Sequence, residues 1–506
     1  MRTKFSSLLA ITAISSLSIF NSCTPDNDNI IPPVIKPDIV FYGLTSGNQL
    51  VKYNANASQT AMATTTITGL AGAEKIIAID FRPATGQLYG LGNSSRLYMI
   101  NPDNGAATAL GTGSFTPAIS GTLVGFDFNP TVDRIRLVTS GGQNLRLNPE
   151  TGTVAATDAV LNPGTPTIAG AAYTNSVAGA ATTILYDIDV ATNKLYKQEP
   201  PNNGTLVEVG SLGITAVAAN DAGFDISPDN SIALANVTIG ANSVLLQIDL
   251  NSGKATTIGN LITPIIGLAI PTPPVAYAVD LTNNLQIFNP NNAGTPVSKS
   301  ITGLQAGENI LGIDMRPATG QLYALGSTSR LYAINMSSGG ATMVGLLPLT
   351  TLLSGTSFGF DFNPTVDRIR VISNTGQNLR LNPNDGTVAA IDGALNPGSP
   401  AVSAAAYTNS FAGATTTVLF DIDVTTDKLY TQNPPNNGTL IETGALGIDV
   451  TAENGFDIGG TSNKAYALLT VGGVTRIYTI NTTSGAATQL SAFPNSARGF
   501  AVGLGF

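Results

Sequence analysis

Six aspartates sit between apolar neighbours at one recurring position: Asp80, Asp127 and Asp225 in the first half of the chain, and Asp314, Asp361 and Asp457 in the second. A carboxylate in such a setting must find hydrogen-bond donors or a positive charge, because burying it alone is costly. The basic residues nearest in sequence are Arg82, Arg134, Arg136 and Arg146, which recur as Arg316, Arg368, Arg370 and Arg380. Three chemistries would use this set. In the first, which is the expectation we favour, the role is structural. Each carboxylate accepts backbone N–H groups of the following turn or pairs with an arginine. In the second, the carboxylates line the mouth of a site for a cation or polar ligand. In the third, two of them act as a glycosidase pair on a polysaccharide.

Other chemistries are excluded by composition. The chain has no histidine, which removes Ser-His-Asp and Cys-His catalysis and the commonest zinc and iron ligand. The run Gly355-Thr356-Ser357-Phe358-Gly359 matches a nucleophile-elbow pattern by chance, since it has no base and its first-half counterpart, Gly121-Thr122-Leu123-Val124-Gly125, has no serine. With no tryptophan, Asp-box and WD-type repeats are unsupported, and the tyrosines, mostly in strand-like runs, read as core packing. The formal charge is −9 and no basic stripe is present, which argues against nucleic acid. Turns such as Asp103-Asn104-Gly105 and Ser227-Pro228-Asp229-Asn230 could hold Ca²⁺, but no segment has EF-hand spacing. Ordinary turn chemistry accounts for them, and no cofactor is expected.

The N-terminus carries its own chemistry. A basic start, Met1-Arg2-Thr3-Lys4, precedes an apolar stretch over 8–20 that is too short to span a membrane. Cys23, the single cysteine, follows Asn21-Ser22. The arrangement resembles a bacterial lipoprotein signal, and it predicts cleavage after residue 22 and lipidation of Cys23. Phe20 departs from the aliphatic residue such signals prefer. Residues 23–38 read as a flexible, Asp- and Pro-rich tether. Asp26 and Asp28 resemble the surface-export signals of Bacteroidetes-type lipoproteins.

The elements that must position these residues are short strands. Charged residues make up only 11% of the chain, whereas it holds 54 Gly and 29 Pro, so long helical windows are interrupted throughout. The chain also repeats itself. Gly-Phe-Asp-Phe-Asn-Pro-Thr-Val-Asp-Arg-Ile-Arg at 125–136 returns residue for residue at 359–370. Within each half a smaller unit recurs at roughly 44–52 residues, the period of propeller blades. Residues 123–158 read as one such unit: strands over 123–128, 134–139, 145–147 and 153–156. Its turns carry Asn-Pro and Gly, with Pro presetting the turn and Gly accepting its left-handed position.

These spacings predict an all-β propeller of about ten four-stranded blades, in halves 39–274 and 275–506. The chain enters on a second-type strand at 39–42 and ends on a first-type strand at 499–502, so closure by the last strand is expected. One ten-bladed ring and two five-bladed rings both satisfy it. Between Ile270 and Val275 lie only Pro271-Thr272-Pro273-Pro274, a reach of at most ~17 Å. That favours the single ring over two rings set side by side.

The run Ala78-Ile79-Asp80-Phe81-Arg82-Pro83-Ala84-Thr85-Gly86-Gln87-Leu88-Tyr89, the repeated 125–136 run and Asn144-Leu145-Arg146-Leu147-Asn148-Pro149 resemble a bacterial family, the domain of unknown function DUF4394. The resemblance spans about 39–270 and 275–506. It implies a propeller-like fold in a secreted or envelope location, and it supplies no activity and no catalytic residues. Taken together, the sequence predicts a lipid-anchored binding or scaffold module of the cell envelope, outer-membrane and facing the periplasm or the surface. Its expected partner is an envelope protein or extracellular ligand. The alternative is a polysaccharide hydrolase or lyase using Asp and Arg near a central channel.

Overall fold

The computed structural model describes residues 35–214, 222–240, 242–451 and 455–506. The predicted signal peptide, Cys23 and most of the tether lie outside them. Alternating apolar residues and Gly- or Asn-closed turns build ten four-stranded antiparallel sheets. The expected unit at 123–158 is Val124–Asn129, Arg134–Thr139, Asn144–Asn148 and Thr153–Thr157, paired in that order. Its sharp turn needs a left-handed residue, which Asp133 supplies at φ 51°, as Asp367 does in the second half at φ 50°.

The sheets group into two rings of five blades, which corrects the favoured single ring. Gly267–Ala269 pairs with Val40–Leu44 and closes the first half on itself. Ala497–Val502 pairs with Ala276–Asp280 and closes the second. In ring one the inner strands Ile76–Phe81, Val124–Asn129, Ile168–Tyr173, Gly223–Ile226 and Gly267–Ala269 lie side by side, and the last returns to the first. Ring two repeats this with Ile310–Arg316, Phe358–Asn363, Val402–Tyr407, Gly455–Ile458 and Ala497–Val502. Blades are numbered below so that the first of each ring is the one completed by its last strand.

The short linker fits because the rings meet at the ends where their inner strands finish. Ala269 ends an inner strand of ring one, and Ala276 opens the second strand of a ring-two blade at that same kind of end. The contact is direct. Tyr277 Oη donates to Ala84 O (2.9 Å), Gly505 N–H to Thr85 O (2.9 Å), and Thr108 Oγ1 to Ala412 O (3.4 Å). The Phe506 ring lies against Gly86, which has φ +72° and no room for a side chain. Only the side-by-side arrangement would have needed the longer reach.

Apolar seams between neighbouring blades form the core. One contains Leu91, Leu97, Phe126, Phe128, Ile135 and Leu145, and its ring-two counterpart holds Leu325, Leu331, Phe360, Phe362, Ile369 and Leu379. At the axis the inner strands approach closely. A Cβ on Gly125 would meet Ala171 Cβ at 2.5 Å, and one on Gly359 would meet Ala405 Cβ at 2.7 Å.

Candidate functional site

The aligned aspartates converge on the two ring axes. Asp80, Asp127 and Asp225 come from blades two, three and five of ring one, and each offers a carboxylate oxygen within 4.8 Å of the others. Asp314, Asp361 and Asp457 form the same trio in ring two. The remaining two blades carry Ala172 and Ala269, or Ala406 and Ala501, at that position.

Each carboxylate reaches the inner strand of the next blade. Phe128 N–H donates to Asp80 (2.8 Å), Tyr173 N–H to Asp127 (3.1 Å) and Ile270 N–H to Asp225 (2.5 Å). In ring two the donors are Phe362 to Asp314 (2.7 Å), Tyr407 to Asp361 (3.0 Å) and Val502 to Asp457 (2.6 Å). Asp225, Asp314 and Asp457 also accept from the residue that follows each of them. The donors are backbone N–H groups, chiefly of the neighbouring blade rather than of the following turn. The arginines pair elsewhere. Burial, and then the neighbouring carboxylates, hold Asp80 and Asp127 well above the usual carboxylate range. Burial pushes Asp225 and Asp457 up to about 7, against the pull of their backbone donors.

The arginines form two further networks away from the axis. Arg82, fully buried, forks onto Asp133 (2.9 and 2.5 Å) and reaches Glu150 (3.1 Å), Tyr89 Oη (3.3 Å) and Gly320 O of the other ring (3.2 Å). Its copy Arg316 forks onto Asp367 and binds Asn384 (2.8 Å), which stands where ring one has Glu150. Arg136 joins Asp158 and Asn144 (both 2.7 Å), Asn202 (2.8 Å) and Tyr173 Oη (3.2 Å), tying blade three to blade four. Arg146 forks onto the same Asp158 (2.8 and 2.9 Å). Burial works against the charge on Asp158, but the bonds from Arg146 and Arg136 outweigh it and keep the carboxyl below its usual range. Arg370, Arg380 and Asp392 repeat this in ring two. Arg134 and Arg368 donate to the carbonyls of Asp133 and Asp367.

Asp127, Arg134, Arg136 and Arg146 are thus committed to an axis, a turn and a blade seam, not gathered around one open pocket. They are also absent from the cleft bounded by Pro37, Ile39, Pro228, Ile232, Ile270 and Pro271.

Sequence comparison agrees with the duplication. The family model for the domain of unknown function DUF4394 matches residues 49–269 and again 284–501. The chain belongs to the DUF4394 family. None of the curated proteins matches it. Each copy of the DUF4394 unit falls within one ring.

Both DUF4394 copies also contain a buried acid outside the aligned set: Asp187 in Leu185–Asp189 and Asp421 in Leu419–Asp423. Both are fully buried, and neither carboxylate oxygen of either residue has a hydrogen-bond partner among the described residues. Burial pushes Asp187 up to about 8, eased by Arg136. Their one signal in the sequence is the second-strand repeat Tyr-Asp-Ile-Asp and Phe-Asp-Ile-Asp.

Proposed function

We propose that this DUF4394 protein is a lipid-anchored binding or scaffold module of the cell envelope, whose two rings present loops to a protein partner. One observation carries the reading, a difference between otherwise matching copies. The loop before the third blade of ring two exposes Leu346 (89%), Leu347 (76%) and Leu352 (64%). At the matching places ring one has Thr112, Gly113 and Ala118. The loop is tied to the matching serine in both rings. Ser329 O accepts from Leu349 N–H and its hydroxyl from Leu353 N–H, as Ser95 does from Phe115 and Ile119. The projecting side chains differ, and they lie at the ring end away from the inter-ring contact. Contiguous exposed apolar side chains mark interaction surfaces on soluble domains.

The commitment of the aspartates and arginines to structural bonds supports the same reading over the hydrolase. The test is an array of envelope proteins and glycans probed with residues 36–506, which hold all ten sheets. The proposal expects a protein ligand whose retention is lost in Leu346→Ser/Leu347→Ser. A glycan that is bound and turned over would refute it.

A further inference from the structure

The chain leaves ring one through Pro271-Thr272-Pro273-Pro274, and a cleft lies beside this exit, between the first and fifth blades. Its walls are the entering segment Pro37–Val40, the blade-five turn from Ser227 to Ser231 with Ile232, and Ile270–Pro273. Its volume is about 590 Å³, within the range of ligand sites. Ile39 and Ile232 are only partly buried there, at the edge of the core that holds Ile270.

Ring two has the matching place filled. By strand pairing and sequence, residues 502–505 match 270–273, and 459–463 match 227–231. There the chain folds back over the turn. Thr461 and Ser462 N–H donate to Phe506 O (3.1 and 3.3 Å), Thr461 Oγ1 donates to Leu504 O (3.4 Å), and Phe506 N–H donates to Gly503 O (3.3 Å). Phe506 packs on the apolar clusters that hold Val275 and Val502. In ring one no backbone bond joins the turn at 227–231 to the linker among the described residues, and Asn230 N–H closes inward on Ser227 O (2.8 Å). One ring thus covers the place with an apolar segment of its own chain, and the other leaves it open.

The open copy also differs in charge. Asp38 and Asp229 stand exposed at its rim, where ring two has Pro273 and Thr461. Bonds from Ser227 and Ser231 hold the Asp229 carboxyl below its usual range, so it is ionised at neutral pH. Asp38 accepts from Asn54 (2.6 Å) and Asn56 (3.0 Å) through Oδ1. Among the described residues no lysine or arginine lines the cleft, and Lys36, next in the chain, sets its Nζ near Gly259. Thr272, a wall residue only 7% exposed, has a hydroxyl with no partner among the described residues. Such a group in a native fold calls for a ligand or a water, and it can both donate and accept. The occupant that fits is apolar and carries positive charge. The chain's own residues 24–34 do not suit it, since they include Asp26 and Asp28 and no basic or aromatic residue.

We propose that the ring-one cleft docks a partner peptide in which an aromatic residue stands next to a lysine or arginine. The aromatic side chain takes the place that Phe506 fills in ring two, the cation meets Asp38 and Asp229, and the peptide main chain bonds the Thr272 hydroxyl. The cleft lies where the linker leaves ring one, whereas the leucine loop lies at the far end of ring two, so the two bindings are separable.

The test is fluorescence anisotropy of dye-labelled acetyl-Gly-Phe-Lys-Gly-amide titrated with the full chain at low ionic strength. Saturable binding is expected, weakened by salt and weakened about tenfold or more when the peptide lysine is replaced by glutamate. Asp38→Asn/Asp229→Asn should remove the preference for lysine over glutamate. Asn keeps an acceptor for Asn54 and Asn56 at one site and for Ser231 at the other. The peptide swap leaves the protein unchanged, so it reads the proposal however that variant folds. Leu346→Ser/Leu347→Ser should bind the peptide as the wild type does. Absent saturable binding, or equal binding of the two peptides, overturns the proposal. Displacement of the peptide by an equal concentration of phenethylamine also overturns it, since the cleft would then be a small-molecule site. Loss of binding in the leucine variant overturns it as well, because the peptide would then sit on the loop.

Discussion

Arg82 and Arg316 occupy the same position in the two copies and live in different surroundings. Arg82 is sealed under the other ring between Asp133 and Glu150, whereas Arg316 keeps part of its side chain in solvent and has Asn384 in place of the second acid. Burial opposes the charge on Arg82, but Asp133, Tyr89 and Glu150 overcome it and hold the guanidinium firmly protonated. Removing it strands two carboxylates in the junction. Arg82→Ala is therefore expected to cost about 3–5 kcal/mol, as for other broken buried pairs. Arg316→Ala, whose side chain is partly exposed and whose partner Asp367 reaches solvent, should cost less. Denaturant titration of the two variants checks the ordering, and equal losses would show that the junction does not bury Arg82. The six axial aspartates were legible in the sequence because they recur in phase with the blade period. Their bonding was not, because the donors Phe128, Tyr173 and Ile270 sit one blade away. Asp187 and Asp421 were hidden for a related reason. In an alternating strand an acid reads as solvent-facing, and only blade stacking turns that face into a buried seam.

At the scale of elements, the ten sheets were readable because each turn repeats its chemistry: Asn-Pro openings and a left-handed Gly, Asn or Asp at the close. Ring closure was not. The two closing strands, around Gly267-Leu268-Ala269 and Gly499-Phe500-Ala501, carry nearly the same pattern, so neither declares which of the edges at 40–44 and 276–280 it will meet. Register patterns specify faces, not the identity of a partner among similar edges. The settled pairing gives a clean expectation. Ending the chain at residue 496 removes the inner strand of ring two's first blade and leaves ring one closed. Amide exchange should then quicken across 276–300, while 40–54 keeps its protection. Loss of protection at 40–54 instead is the signature of a single ten-bladed ring and would contradict the observed closure.

At the scale of the whole molecule, duplication supplied two nearly equivalent rings that differ at a few places. Ring one spends its Gly86 turn on receiving Phe506. Ring two projects leucines where ring one has small and polar residues. The rings share the contact made by Tyr277, Gly505 and Arg82, which places the leucine loop at the far end of ring two, clear of the partner ring. The most direct measurement of the proposed binding role uses that internal control. A photo-crosslinking residue placed at position 346 of the full chain, and separately at position 112, is activated in cells that carry the envelope. One discrete protein adduct is expected from position 346 and none from position 112. No adduct from position 346, or the same adducts from both, would contradict that role.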